Sequence, residues 1–119
     1  MKFLFVEDEL ELLELYEILL DDIGIDYGLA KNGKDALEKL ESDSYDFIFS
    51  DIRMPVMDGL ELLQAIQRKK IIIKSFIFMT AHVDISKEEI VKKGADDILY
   101  KPLSHKILQE YIKDLQNKY

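Results

Sequence analysis

Apolar residues in this chain come in short runs bounded by turn residues, and between the runs the pattern changes to a helical period. The runs Lys2 to Val6, Ile25 to Ala30, Phe47 to Ser50, Phe76 to Met79 and Asp97 to Tyr100 predict five strands. Helical spacing predicts helices over Leu10 to Asp22, Gly33 to Glu41, Gly59 to Lys69, Ser86 to Lys93 and Ser104 to Gln116. Strict alternation of the two patterns argues for βαβ units, hence an α/β protein with a parallel five-stranded sheet, (βα)5, and helices on both faces. Local signals agree with these limits. Asn32 and Ser86 can cap helix starts, Gly24 and Gly94 suit the positions just past helix ends, and Pro102 stops the last strand. The Ile71 to Ile73 triplet is ambiguous between an early start of the fourth strand and the loop beneath it, and a strand core of Phe76 to Met79 is favoured.

The length of 119 residues fits one domain spanning residues 1–119. With no cysteine there is neither a disulfide framework nor a thiolate metal site, and no apolar run approaches the roughly 18 residues that span a bilayer. A soluble, cytoplasmic protein is expected. Charge adds a sharper constraint, because the net −8 is unevenly placed: residues 1 to 59 hold 5 basic and 16 acidic groups, residues 60 to 119 hold 11 and 8. That balance disfavours nucleic-acid binding, which needs a basic surface, and points to a cation site in the first half.

In open parallel sheets ligands bind beyond the carboxyl ends of the strands. There strand 1 runs into Glu7, Asp8 and Glu9, strand 3 into Asp51, strand 4 into Thr80, and strand 5 into Lys101 and Pro102. Carboxylates converging from two strands repel one another unless a cation sits between them. Magnesium suits such a site, since it takes oxygen ligands and usually works beside a phosphate. An ammonium and a hydroxyl complete a set that could hold phosphoryl oxygens.

Glu7 and Asp8 after an apolar strand, the run Asp51, Ile52, Arg53, Met54, Pro55, Val56, Met57, Asp58, Gly59, then Thr80 with Ala81, and Gly94, Ala95, Asp96, Asp97 leading to Lys101 and Pro102 together resemble the response-regulator receiver family of two-component signalling. The resemblance spans the whole chain. It implies a flavodoxin-like, doubly wound sheet of strand order 2-1-3-4-5. It also implies that Asp51 accepts a phosphoryl group from a histidine kinase or histidine phosphotransfer protein, so that the chain is a signalling phosphoacceptor and not an enzyme acting on an outside substrate. Asp8, Asp51 and the backbone carbonyl of Arg53 would bind Mg²⁺, Glu7 would act mainly through water, Lys101 would pair with the phosphoryl oxygens, and Thr80 would report the modification. Asp58 with Gly59 reads as a turn, not as chemistry.

On the first helix Leu12, Tyr16, Leu19, Leu20 and Ile23 form one stripe, whereas Leu10 and Ile18 lie off it and are expected to be exposed. In the family this face docks the phosphodonor, which makes Leu10 and Ile18 docking candidates. One departure stands out. Receivers usually carry an aromatic three residues before the lysine, and here that place holds Ile98; Tyr100, on the same face of the strand, is the substitute candidate. Arg53 and His82 occupy the two variable places that modulate attack of water on the acyl phosphate.

Other classes fit less well. A haloacid-dehalogenase-type phosphatase wants a second Asp where Arg53 stands, and the acids after strand 1 would repel a flavin phosphate. A pseudo-receiver scaffold would show losses among the acids or the lysine, and none is seen. The output is expected to lie in a downstream protein or a missing output domain. Phosphorylation-dependent homodimerisation through helix 4, strand 5 and helix 5 is a further possibility of the family.

Overall fold

The computed structural model describes all residues, Met1–Tyr119. Five strands and five helices alternate: β1 Lys2–Val6, α1 Leu10–Ile23, β2 Asp26–Ala30, α2 Gly33–Ser42, β3 Phe47–Asp51, α3 Gly59–Lys69, β4 Ser75–Thr80, α4 Lys87–Lys92, β5 Asp97–Tyr100 and α5 His105–Lys118. Every strand pairing is parallel and the order is β2-β1-β3-β4-β5. This is the flavodoxin-like arrangement the sequence predicts. No helix is long and apolar enough to cross a membrane.

The near-continuous apolar character of β1, β3 and β4 follows from burial on both faces. Successive side chains point to opposite sides. Leu4, Val6, Ile48, Phe76, Phe78 and Ile98 join the core beneath α2, α3 and α4. Phe3, Phe5, Phe47, Phe49, Ile77 and Met79 join a second core closed by Tyr16 and Leu20 of α1 and by Leu108, Ile112 and Leu115 of α5. The Phe5 and Phe49 rings stack with centroids 4.6 Å apart across the β1–β3 pair. Each such ring, fully buried, contributes about 1.5–3 kcal/mol of transfer free energy.

Element limits differ from the sequence reading by one or two residues. β2 begins at Asp26 and not Ile25; Ser86 and Ser104 sit at the caps of α4 and α5, outside the helices. β4 extends over Ser75 and Thr80 because both remain hydrogen-bonded in the ladder or just beyond it, Lys101 N–H donating to the Thr80 carbonyl at 2.8 Å. The Ile71–Ile73 triplet is loop: Ile71 and Ile73 pack against the α2–α4 core while Ile72 faces solvent. The expected caps are present. The Asn32 and Ser86 side chains accept from the N3 amides of their helices, and Gly24 takes the left-handed conformation, φ 83°, that glycine adopts without penalty.

Strand order places the site. β1 and β3 are neighbours, yet the chain leaves β1 through α1 on one face and leaves β3 through α3 on the other, so their carboxyl ends open onto a crevice. The register pairs Val6 with Ser50, which sets Glu7 beside Asp51.

Candidate functional site

At that crevice Glu7, Asp8 and Asp51 each offer a carboxylate oxygen within 4.8 Å of the others. Lys101 reaches in from the end of β5, its ammonium 2.5 Å from Glu7 Oε1 and 3.1 Å from Asp51 Oδ2. The Lys101–Pro102 peptide bond is cis. Asp51 Oδ1 accepts the backbone N–H of Ile52 at 2.9 Å, and the Ser50 hydroxyl donates to the Asp51 carbonyl at 2.8 Å. Backbone and lysine thereby hold both carboxylate oxygens of Asp51 in fixed directions. Around them lies a cleft of about 240 Å³ lined by Asp8, Glu9, Leu12, Asp51, Arg53, Ala81, His82 and Lys101.

Electrostatics of the cluster lean one way. Glu7 is wholly buried, and that burial raises its pKa; the hydrogen bond and charge of Lys101 pull it back down, and the Asp51 charge pushes it up again. Burial alone would lower the Lys101 pKa, but the hydrogen bond to Glu7 and the charges of Asp51 and Glu7 outweigh it and hold the ammonium above its ordinary value. Nearby Tyr16 is pushed up to about 12, chiefly by burial. Acid and base alike hold protons more tightly than usual. For Glu7 and Tyr16 burial is the main cause, and for Lys101 it is the carboxylates around it; three carboxylates lie near one ammonium. An all-oxygen donor set with uncompensated negative charge fits a hard divalent cation such as Mg²⁺.

Thr80, wholly buried at the end of β4, accepts the backbone N–H of His82 at 3.0 Å through its hydroxyl. Ile98 is buried in the core and offers no polar group. Tyr100 is exposed, and its hydroxyl donates to the Ile85 carbonyl in the loop between β4 and α4. Asp58 caps α3 and forms a capping box with Glu61, so it starts a helix where the sequence reading had a turn, and its role is structural. On α1, Tyr16 and Leu20 are buried, Leu12, Leu19 and Ile23 half-buried, and Leu10 and Ile18 lie 67% and 66% exposed. The sequence reading missed Ser50 and Ile52 as orienting groups, because a backbone amide carries no residue-type signal and a serine inside a strand looks like any small residue. Leu12 and Ala81, which wall the cleft, were equally invisible as site residues.

The family model for the response regulator receiver domain matches residues 3–113. The CpxR homolog of Haemophilus influenzae, a transcriptional regulatory protein, is 38% identical over 113 residues, which is 94% of this chain and 48% of that protein. The luminescence regulatory protein LuxO of Vibrio campbellii is 37% identical over 82% of this chain and 21% of its own length. The chain thus spans half or less of the length of these curated relatives. Among solved structures, the receiver domain of the Francisella response regulator 1452 superposes at a TM-score of 0.87 with 31% identity, covering 98% of this chain and 97% of that one. Thermotoga maritima TrrA, solved in complex with Mg²⁺ and BeF, superposes at 0.82 with 32% identity over 96% and 97%. Family match, fold and relatives agree: the chain belongs to the response regulator receiver domain family of two-component signalling.

Proposed function

We propose that Asp51 is the phosphoacceptor. An Asp51 carboxylate oxygen attacks the phosphorus of a phosphohistidine on a histidine kinase or phosphotransfer protein; the P–N bond breaks, the imidazole nitrogen keeps the electron pair, and an acyl phosphate forms. The observation that carries this reading is the pinned Asp51 carboxylate, held by the Ile52 amide and the Lys101 ammonium inside a cleft open to solvent. Phosphoryl transfer asks for little more than in-line placement and neutralised charge. Lys101 holds the incoming phosphoryl oxygens and Thr80 donates its hydroxyl to one of them after transfer. Asp8, Asp51 and the backbone carbonyl of Arg53 would hold Mg²⁺, and Glu7 would act through water and through its hold on Lys101. When bound, the ion neutralises charge on the phosphoryl oxygens. Arg53 and His82, both on the cleft wall, set how easily water reaches the acyl phosphate.

The switch follows from the Thr80 contacts. If the hydroxyl turns toward a phosphoryl oxygen, its hold on the His82 amide is lost and the loop to Ile85 is freed to move. Of the two candidates, Tyr100, bonded to Ile85, is placed to report that movement, while Ile98 lies in the apolar core. Output through a downstream protein or an attached domain, by way of α4, β5 and α5 and with homodimerisation as one route, belongs to the same proposal, as does a cytoplasmic site of action and the absence of nucleic-acid contact by residues 1–119, read as one domain.

The test is to incubate the protein with Mg²⁺ and acetyl phosphate and determine its mass. A gain of one phosphoryl group in the unsubstituted chain, absent in Asp51→Asn, is expected. No gain in either would refute the reading.

A further inference from the structure

The segment Arg68 to Lys74, which ends α3 and leads into β4, holds four cations and three isoleucines in a chain of net charge −8. It forms a corner at the amino edge of the sheet, at the far ends of the strands from Asp51. The acids around it are already engaged. Glu41 pairs with Lys69 and Asp46 with Lys74, both at 3.5 Å, Asp43 pairs with Lys2, and Asp96 accepts the Phe76 amide at 2.8 Å. Arg68, Lys70 and Lys93 are exposed and take part in none of the chain's ion pairs. Lys93 belongs to the same corner, because its carbonyl accepts the Gln67 side-chain amide at 3.1 Å. Lys70 holds a left-handed φ of 55°, a place glycine takes without penalty, and Ile72 is 91% exposed. The helix dipole does not require Lys70, since Arg68 and Lys69 already occupy the last turn of α3. Neither Lys70 nor Ile72 adds to the stability of the fold.

Two grooves flank this segment. One, of about 640 Å³ between the carboxyl ends of α2 and α3, is lined by Leu40, Tyr45, Ile71, Ile72, Lys69 and Lys70. The other, of about 430 Å³, is lined by Leu63, Ile66, Ile73, Phe76, Lys70 and Lys74. Lys70 and Ile71 line both, so an apolar group seated in either groove lies beside Lys70. Shape and charge decide the occupant. A bilayer is too flat to enter a groove, and an anionic one is repelled by the net charge. A nucleic acid needs an unbroken row of cations along its backbone, and here Glu41, Asp43 and Asp96 interrupt it. A second copy docked symmetrically through this corner would set cations against cations. What fits is a peptide segment with an apolar side chain for a groove and carboxylates one or two residues away for the unpaired cations.

We propose that this corner docks a short acidic segment of a partner protein, whose apolar side chain enters a groove while its Asp and Glu side chains pair with Arg68, Lys70 and Lys93. The probe is a fluorescein-labelled peptide of Leu and Phe separated by Asp-Glu pairs, with counterparts carrying Asn-Gln or Lys-Lys pairs instead. Fluorescence anisotropy should show the acidic peptide binding at least about tenfold more tightly than the Asn-Gln one, by the sum of three exposed ion pairs, and the advantage should shrink as ionic strength rises. Amide shifts on binding should fall within residues 40–45 and 66–76, which line the grooves. Arg68→Glu/Lys70→Glu should lower the affinity at least about tenfold. Lys70→Gly separates docking from folding and keeps the test open should the double variant not fold. Relief of the left-handed φ should raise its Tm by a few degrees while the affinity falls at least about threefold. Equal binding of the acidic and Asn-Gln peptides, shifts elsewhere, or an affinity unmoved by the substitutions overturns the proposal. Tighter binding of phosphatidylglycerol vesicles or of a DNA duplex at the same residues overturns it as well.

Discussion

Glu7 is the residue on which the resting state of the site turns. It has no exposure to solvent, its Oε1 is bound by Lys101, and its Oε2 accepts the Glu9 amide at 3.2 Å. Burial nevertheless keeps its pKa above the ordinary 4.5, so the folded state disfavours the charged form. The sign follows from linkage. Below about pH 4.5 the group is protonated whether folded or not and the penalty is absent; it grows as pH rises through the raised folded value. Glu7→Gln removes the charge and keeps the shape. Without divalent cations, the Tm of the variant relative to the unsubstituted protein should therefore climb by a few degrees between about pH 4.5 and about pH 7. Thermal melts across that range check it, and a flat or falling difference counts against it. Tyr100 supports a second expectation. Tyr100→Phe keeps the ring but loses the bond to Ile85, at a cost of about 0.5–1.5 kcal/mol. Amide exchange over residues 81–86 should be faster in the unmodified variant and should change less on phosphorylation than in the parent. An unaltered response would take Tyr100 out of the read-out.

Among the elements, the start of α3 is the one that aims the site. Its first residue, Gly59, donates its amide to the Ile52 carbonyl at 2.8 Å, and a Cβ there would fall 2.2 Å from the Asp51 carbonyl oxygen and 2.7 Å from the Phe78 ring. The helix packs this close because nothing projects from that backbone position. Asp58, one residue earlier, only caps. Asp58→Ala should cost about 1 kcal/mol and leave Mg²⁺ affinity intact. Gly59→Ala should cost roughly 3 kcal/mol or more, because backbone must shift, and should weaken Mg²⁺ binding by displacing Asp51. Denaturant unfolding and Mg²⁺ titration separate the two effects. Equal losses on both counts would show that the close approach to Asp51 is not what matters.

At the scale of the whole molecule, the acidic carboxyl edge is built at the expense of stability. Carboxylates from β1 and β3 are brought together by cores that contain only apolar rings and aliphatic chains on either side. A cation that binds only the folded state should offset this strain. At a Mg²⁺ concentration about 100 times its Kd the fold should gain roughly 2.7 kcal/mol. Melts with and without Mg²⁺ should show the gain, and Asp8→Asn should lose most of it. A Tm indifferent to Mg²⁺ would argue that the cluster is satisfied by Lys101 alone.

Much of this molecule was legible in its sequence because burial on both faces of a parallel sheet leaves an unbroken apolar run, and five such runs alternate with helical periods. The strand ends could therefore be read off, and with them Asp8, Asp51 and Lys101 as neighbours-to-be. Helix caps at Asn32 and Ser86 were readable for the same local reason, whereas Asp58, read as a turn residue, turned out to cap α3. What required the tertiary structure was everything set by approach between distant segments. Lys101 binds Glu7 as well as Asp51 only because β5 and β1 deliver side chains to the same crevice from 94 residues apart. Val56 takes a left-handed φ of 73°, which no glycine or asparagine there announces, because the loop from β3 must turn to present Met57 to Gly33. Leu15 sits at a groove shared between α1 and the segment after β5, a juxtaposition no single helix pattern contains. Periodicity is a property of one element and survives in the sequence; the facing of two elements is a property of the packed chain, and the chemistry of this site lies in that facing.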